Sequence, residues 1–126
     1  MAAATKTFSA LVVDDNFYNR DIASIALQHV GYEVTEAVNG IEALEKLGAD
    51  QYDLLILDLM MDGIDGLGVL RRLPTATTDP KMFVIVMTAN PHMITEDVAD
   101  RADLILQKPI EVNEFTRLTS RLLNRS

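Results

Sequence analysis

The sequence predicts an α/β fold: a three-layer αβα sandwich around a doubly wound, five-stranded parallel sheet. Three observations lead there. Apolar runs with strand character alternate five times with stretches of helical periodicity. No repeat, low-complexity tract or linker interrupts that alternation, which favours right-handed crossovers with helices on both sheet faces. Four of the runs, in LVVDD, LLILD, VIVMT and LILQK, end in polar residues that parallel strands would bring to a single edge.

The first strand, Phe8–Val13, is apolar and β-branched enough for a buried position, and it runs into Asp14 and Asp15. NRDIASIALQHV sets Ile22, Ile25, Ala26 and Val30 on one helical face, and Gly31 stops the helix. YEVTEA reads as the second strand. Asn39 then caps a helix through GIEALEKLGA, where Ile41, Ala43, Leu44 and Leu47 are available for burial. DLLILD is the most apolar run to that point, as expected of a central strand. Asp65 caps a helix through GLGVLRRL that Pro74 ends, and PTATTDPK follows as a polar loop. MFVIVMT is the fourth strand. Asn90-Pro91 opens a short helix to about Arg101, with Pro91 in or near its first turn. DLILQK is the fifth strand, and EVNEFTRLTSRLLN the last helix, spacing Val112, Phe115, Leu118 and Leu122 at helical intervals. Five strands suit the flavodoxin-like order 2-1-3-4-5, whose switch point lies between strands one and three. Asp14, Asp15 and Asp58 would sit there.

A chain of 126 residues fits one domain, and 48% apolar content supports a compact core rather than disorder. The formal net charge of −8 argues against direct nucleic-acid binding, which needs Lys and Arg against phosphate. Without cysteine there is no disulfide, thiol chemistry or Cys-ligated metal, in keeping with a reducing cytoplasm. The N-terminal MAAATKTFSALVVDD lacks the apolar length and cleavage site of a secretory signal. No run nears the ~20 apolar residues of a membrane span. A soluble, cytoplasmic protein with no membrane partner is expected. His29 and His92 read as surface residues, Met82 and Met87 as core filling, and Arg71 and Arg72 as compensation of a helix dipole.

The strand-end residues imply a definite chemistry. Three carboxylates a few ångströms apart raise each other's pKa unless positive charge is supplied. Lys108 is one source and a divalent cation the other. Ligands offering oxygen alone favour Mg²⁺, with Mn²⁺ possible, over zinc. Magnesium takes few carboxylates and keeps waters, leaving positions for phosphoryl oxygens. An aspartate can then act as nucleophile and become an aspartyl-phosphate, with Thr88 donating to a phosphoryl oxygen. Taken singly, each residue has a plainer role: Asp14–Asp15 a cap with solvated charge, Asp58 a turn residue, Thr88 a local backbone bond, Lys108-Pro109 a strand exit. Their joint occurrence on four strand ends of that edge favours the site.

As a set, LVVDDN, DLLILDLMMDGIDG, VIVMTAN and LILQKP resemble the receiver domain of bacterial two-component response regulators, of the stand-alone, chemotaxis-regulator-like kind. The resemblance covers the whole chain, so residues 1–126 are expected to form a single receiver domain with its core over about 8–124. It implies that Asp58 accepts phosphoryl from a phosphohistidine on a sensor histidine kinase or histidine phosphotransfer protein. It implies Mg²⁺ ligation by Asp15, Asp58 and the backbone carbonyl of Met60, with Asp14 acting through metal-bound water. Thr88 matches the switch hydroxyl, Lys108 the lysine on a phosphoryl oxygen, and Pro109 the residue after a cis peptide bond. Phosphoryl would switch a downstream protein partner, docked on the face of the fourth helix, fifth strand and fifth helix, or pass onward to another histidine. A monomer or weak dimer is expected, and a signalling domain that catalyses its own phosphorylation and slow autodephosphorylation, not an enzyme in the usual sense.

Three departures from the family pattern stand out. Asp62 replaces a frequent Pro, Ile105 replaces the aromatic that accompanies activation, and the span from Thr88 to Lys108 is short, predicting a short or irregular fourth helix. Met60 and Asn90 would flank the pocket and tune how water reaches the acyl phosphate. Two other classes compete. A small metal-dependent phosphatase using an aspartyl-phosphate would carry Asp where Met60 stands. A flavodoxin-like flavin binder would need a hydroxyl- and glycine-rich loop where Asp14-Asp15-Asn16 would repel a phosphate.

Overall fold

The computed structural model describes residues 7–73 and 82–124. Five strands, β1 (Ser9–Val13), β2 (Glu33–Ala37), β3 (Leu54–Asp58), β4 (Phe83–Thr88) and β5 (Leu104–Gln107), alternate with α1 (Phe17–Val30), α2 (Gly40–Ala49), α3 (Gly66–Arg72), α4 (Glu96–Arg101) and α5 (Val112–Leu123). All strand pairs are parallel, in the order β2-β1-β3-β4-β5, as the alternation predicts. β3 lies at the centre with every residue buried, matching its apolar run. The C-terminal strand ends are in step: Val13 lies beside Leu57, Asp58 beside Met87, and Thr88 beside Gln107.

Because side chains alternate across a strand, each inner strand feeds two cores. Leu11, Val13, Leu55, Leu57, Val84 and Val86 pack on one face with Ala43, Val69, Leu70 and Val98 of α2, α3 and α4. Ala10, Val12, Leu54, Ile56, Ile85 and Met87 pack on the other with Ala23, Ala26, Leu27 and Phe115 of α1 and α5. Tyr32 ties the α1–β2 junction to α5, its phenol donating to the Thr119 carbonyl at 2.9 Å. Burial, and then the charge of Asp53, push that phenol up to about 12.

The local stop and start signals act as expected. Gly31, at φ 124°, sends its amide to the Leu27 and Gln28 carbonyls and ends α1. Asn39 caps α2 through the Glu42 amide at 2.8 Å, and Asp65 caps α3 through the Gly68 amide at 2.9 Å. The N-terminus of α1 escaped sequence reading: Asn16 caps it through the Asn19 amide at 3.0 Å, so the helix begins at Phe17.

Three expectations are corrected. The buried stripe of α1 is Ala23, Ser24, Ala26 and Leu27, whereas Ile22 and Ile25 are 43% and 57% exposed. The helix is apolar on two faces, and the small residues are the ones that let it lie close against the sheet. Ile41 and Val112 are likewise exposed, each in the first turn of its helix. The single helix expected from Asn90 to Arg101 is two pieces: a 3-10 turn at Pro91–Met93 capped by Asn90, then α4 capped by Thr95. Extended backbone at Ile94 divides them.

Pro74, the loop PTATTDPK and the N-terminal residues 1–6 lie outside the described residues. Among the described residues no helix is long and apolar enough to cross a membrane.

Candidate functional site

Asp14 follows the last residue of β1, and Asp58 is the last residue of β3, the strand beside it in the sheet. One carboxylate oxygen each from Asp14, Asp15 and Asp58 lies within 4.8 Å of the others. Asp14 and Asp58 are buried and Asp15 is exposed, so the cluster opens to solvent on one side. Lys108 reaches in from the end of β5: its Nζ is 2.8 Å from Asp14 Oδ2 and 3.2 Å from Asp58 Oδ1. The Lys108–Pro109 peptide bond is cis.

The electrostatics follow from crowding. Burial raises the Asp58 pKa above its ordinary value, the neighbouring Asp14 raises it further, and Lys108 only partly opposes them. For Lys108, burial alone would lower the pKa. The hydrogen bond to Asp14 and the charges of Asp58 and Asp14 outweigh it, and the ammonium is held above its usual range. Lys108 thus offsets Asp14 and Asp58, the two acids it contacts. Ligand atoms that are all carboxylate oxygens, partly open to water and free of His and Cys, suit a hard cation such as Mg²⁺.

Other predicted residues lie in β4, β5 and the loops that follow β3 and β4. Met60 is 57% exposed, and its amide donates to Asp58 Oδ1 at 3.4 Å. Thr88 is buried at the end of β4, but its hydroxyl is engaged locally: it donates to the Asn90 carbonyl and accepts from the Asn90 amide, both at 3.0 Å. Asn90 turns its own Oδ1 to the His92 amide at 3.0 Å. Ile105 is half-buried, packed against the cluster containing Val86 and Val98. Asp62 is exposed in the loop after β3. His29 and His92 are both exposed, and neither belongs to the acidic cluster.

Two residues that sequence patterns did not single out hold this edge together. A Cβ added to Gly66 would run into the Asp58 carbonyl oxygen and lie 2.6 Å from Leu59 Cα, so only glycine lets α3 start directly behind the end of β3. Arg20 of α1 donates from Nη1 to the Asp14 carbonyl at 2.9 Å and from Nε to Glu36 at 2.8 Å. One signal could have found it. A cation in the first turns of a helix opposes the dipole, and so points to an acceptor waiting there.

Residues 10–120 match the family model of the response regulator receiver domain. The chain is 38% identical over 119 residues to the response regulator MprA of Mycobacterium ulcerans, covering 92% of this chain and 50% of that protein. The corresponding protein of Mycobacterium avium is 37% identical over 119 residues, covering 92% of this chain and 51% of that protein. The chain thus spans about half the length of the curated relatives it matches. Among solved structures, the response regulator TrrA of Thermotoga maritima, in complex with Mg²⁺-BeF, is 34% identical with a TM-score of 0.81, covering 92% of this chain and 99% of that one. A CheY-like receiver domain from Methylobacillus flagellatus shares the fold at 18% identity, with a TM-score of 0.83 and coverage of 93% and 99%.

Proposed function

This chain belongs to the response regulator receiver domain family of two-component signalling, and from that premise we propose that it takes a phosphoryl group onto Asp58 and thereby switches a partner. The observation that carries the reading is the meeting of three carboxylates with the Lys108 ammonium at one sheet edge. Asp14, Asp15, Asp58 and the Met60 backbone carbonyl would hold Mg²⁺, which when bound neutralises the clustered charge and draws in phosphoryl oxygens. An Asp58 carboxylate oxygen attacks phosphorus, the bond to the donor imidazole nitrogen breaks, and the imidazole leaves with its electron pair. Lys108 exchanges its contact with Asp58 for a phosphoryl oxygen, stabilising the charge that builds there. Thr88 donates to another such oxygen once its hydroxyl leaves the Asn90 carbonyl.

The donor is a phosphohistidine on a sensor kinase or histidine phosphotransfer protein in the cytoplasm. The readout surface is the α4–β5–α5 face, on a chain that is a monomer or weak dimer. Phosphorylation biases a pre-existing equilibrium there by adding charge and acceptor oxygens at the sheet edge. With Ile105 in place of an aromatic, the response of Thr88 passes into the Asn90–Ile94 turn that precedes α4. Met60 and Asn90 at the pocket rim tune how fast water removes the phosphoryl group. The phosphatase reading has no support in the comparisons, and Met60 stands where that chemistry needs an acid.

The test is incubation with Mg²⁺ and a small phosphodonor such as acetyl phosphate, followed by intact-mass analysis. The parent chain gains one phosphoryl group, chelator abolishes the gain, and Asp58→Asn removes it. Phosphorylation that survives either treatment overturns the assignment.

A further inference from the structure

Of the three acids, two have their carboxylates fixed by direct contacts. Asp14 accepts from the Asn16 amide at 2.9 Å and from Lys108, and Asp58 accepts from the Met60 amide at 3.4 Å and pairs with Lys108. Among the described residues, no side-chain hydrogen bond or ion pair is made by Asp15, which is exposed. Its direction depends on the peptide that joins it to Asp14. That peptide is held where Arg20 Nη1 donates to the Asp14 carbonyl at 2.9 Å, beside the Asn16 amide's bond to Asp14 Oδ1 that closes the turn around Asp15. Arg20 is itself anchored: its side chain is only 12% exposed, Nε is 2.8 Å from Glu36 Oε1 on β2, and the guanidinium lies 5.6 Å from the Phe17 ring centroid. Stacking and the outer ion pair leave it few alternative rotamers.

We propose that Arg20 is a positioning residue for the metal site, holding the Asp14–Asp15 peptide so that Asp15 faces the other two acids. This deepens the receiver reading and rests on it. Two opposite effects are open to a guanidinium near an acidic cluster: fixing a ligand strengthens cation binding, and adding positive charge weakens it. Pairing with Glu36 makes Arg20 and its partner close to neutral together, which leaves the geometric effect in command. Residues that orient metal ligands without touching the metal change affinity by about 10–100-fold when removed.

The experiment is calorimetric titration of the full chain with magnesium chloride, for the parent, Arg20→Met and Arg20→Lys. Methionine keeps the alkyl stem beside Phe17 and loses the donors. It is expected to raise the Mg²⁺ Kd about tenfold, and lysine, which can still reach the carbonyl, to recover part of the loss. The phosphorylation deficit of Arg20→Met should vanish at saturating Mg²⁺, because the reacting groups themselves are untouched. A folded Arg20→Met with an unchanged or tighter Kd overturns the proposal, and so does a deficit that persists at saturating Mg²⁺. Should Arg20→Met not fold, Arg20→Gln decides by the same readout: loss of the anchored donor must weaken Mg²⁺ although positive charge is removed, and an unchanged or tighter Kd overturns the role of Arg20. A parent chain that binds no Mg²⁺ sinks the underlying metal assignment instead, so the two failures are told apart.

Discussion

Asp58 is a carboxylate kept where a carboxylate is costly. Burial and Asp14 raise its pKa above the ordinary 3.8, so between 3.8 and the raised value the folded chain binds more protons than the unfolded one. Stability of the metal-free protein therefore falls as pH rises through that window, and the cost persists above it. Asp58→Asn keeps the shape and removes the charge. Thermal melts in EDTA should show the variant with the higher Tm at pH 7, and the gap should close as pH drops below 3.8. A metal-free parent that outlasts the variant at pH 7 would mean the Lys108 ion pair outweighs burial and Asp14 together. At this scale the acids, Thr88 and Lys108 were legible because each ends an apolar run. Arg20 was not, because its acceptor is a backbone carbonyl, and a cation in the first turns of α1 hints at an acceptor without naming it.

At the scale of elements, caps were readable and helix phase was not. Asn39, Asp65 and Gly31 act through bonds to residues a few positions away, so the local sequence contains both partners. The buried side of α1 was misread, apart from Ala26, because Ile22 and Ile25 outweigh Ala23 and Leu27 in any hydrophobicity pattern. The sheet selects the small residues by proximity. Gly66 shows the same limit from the other direction: its absent side chain matters only because α3 begins against the backbone of Asp58 and Leu59. Gly66→Ala must push backbone aside, and overpacking of this kind costs about 1–3 kcal/mol. The shift falls on Asp58, the proposed phosphoryl acceptor, and a displacement of ~1 Å can slow a positioned reaction about 10²-fold. The expected result is a lower denaturation midpoint together with phosphorylation by acetyl phosphate slowed well beyond the loss of folded protein. A variant with parent-like kinetics would show that the β3–α3 turn absorbs the methyl group elsewhere.

For the whole molecule, the site is a property of the sheet. Asp14 and Asp58 are separated by most of two β–α units in sequence and meet because β1 and β3 are neighbours in parallel register. A cation bridging them binds the folded chain and not the unfolded one. Mg²⁺ at ten times its Kd should therefore stabilise by about 1.4 kcal/mol, a rise of a few degrees in Tm that Asp15→Asn greatly reduces. Equal stabilisation of both chains would place the ion elsewhere. The alternation of apolar runs pointed to the fold class, five such strands suited the order found, and the polar run-ends picked out the acids and Lys108 that meet at one edge. Each of these is written in local periodicity or residue type. Only the tertiary structure decided which face of α1 is buried, that the fourth helix breaks at Ile94, that Thr88 is engaged with Asn90, and that Arg20 and Gly66 brace the acidic edge. These depend on distances between segments remote in the chain, and close packing sets such distances without leaving a pattern in either segment alone.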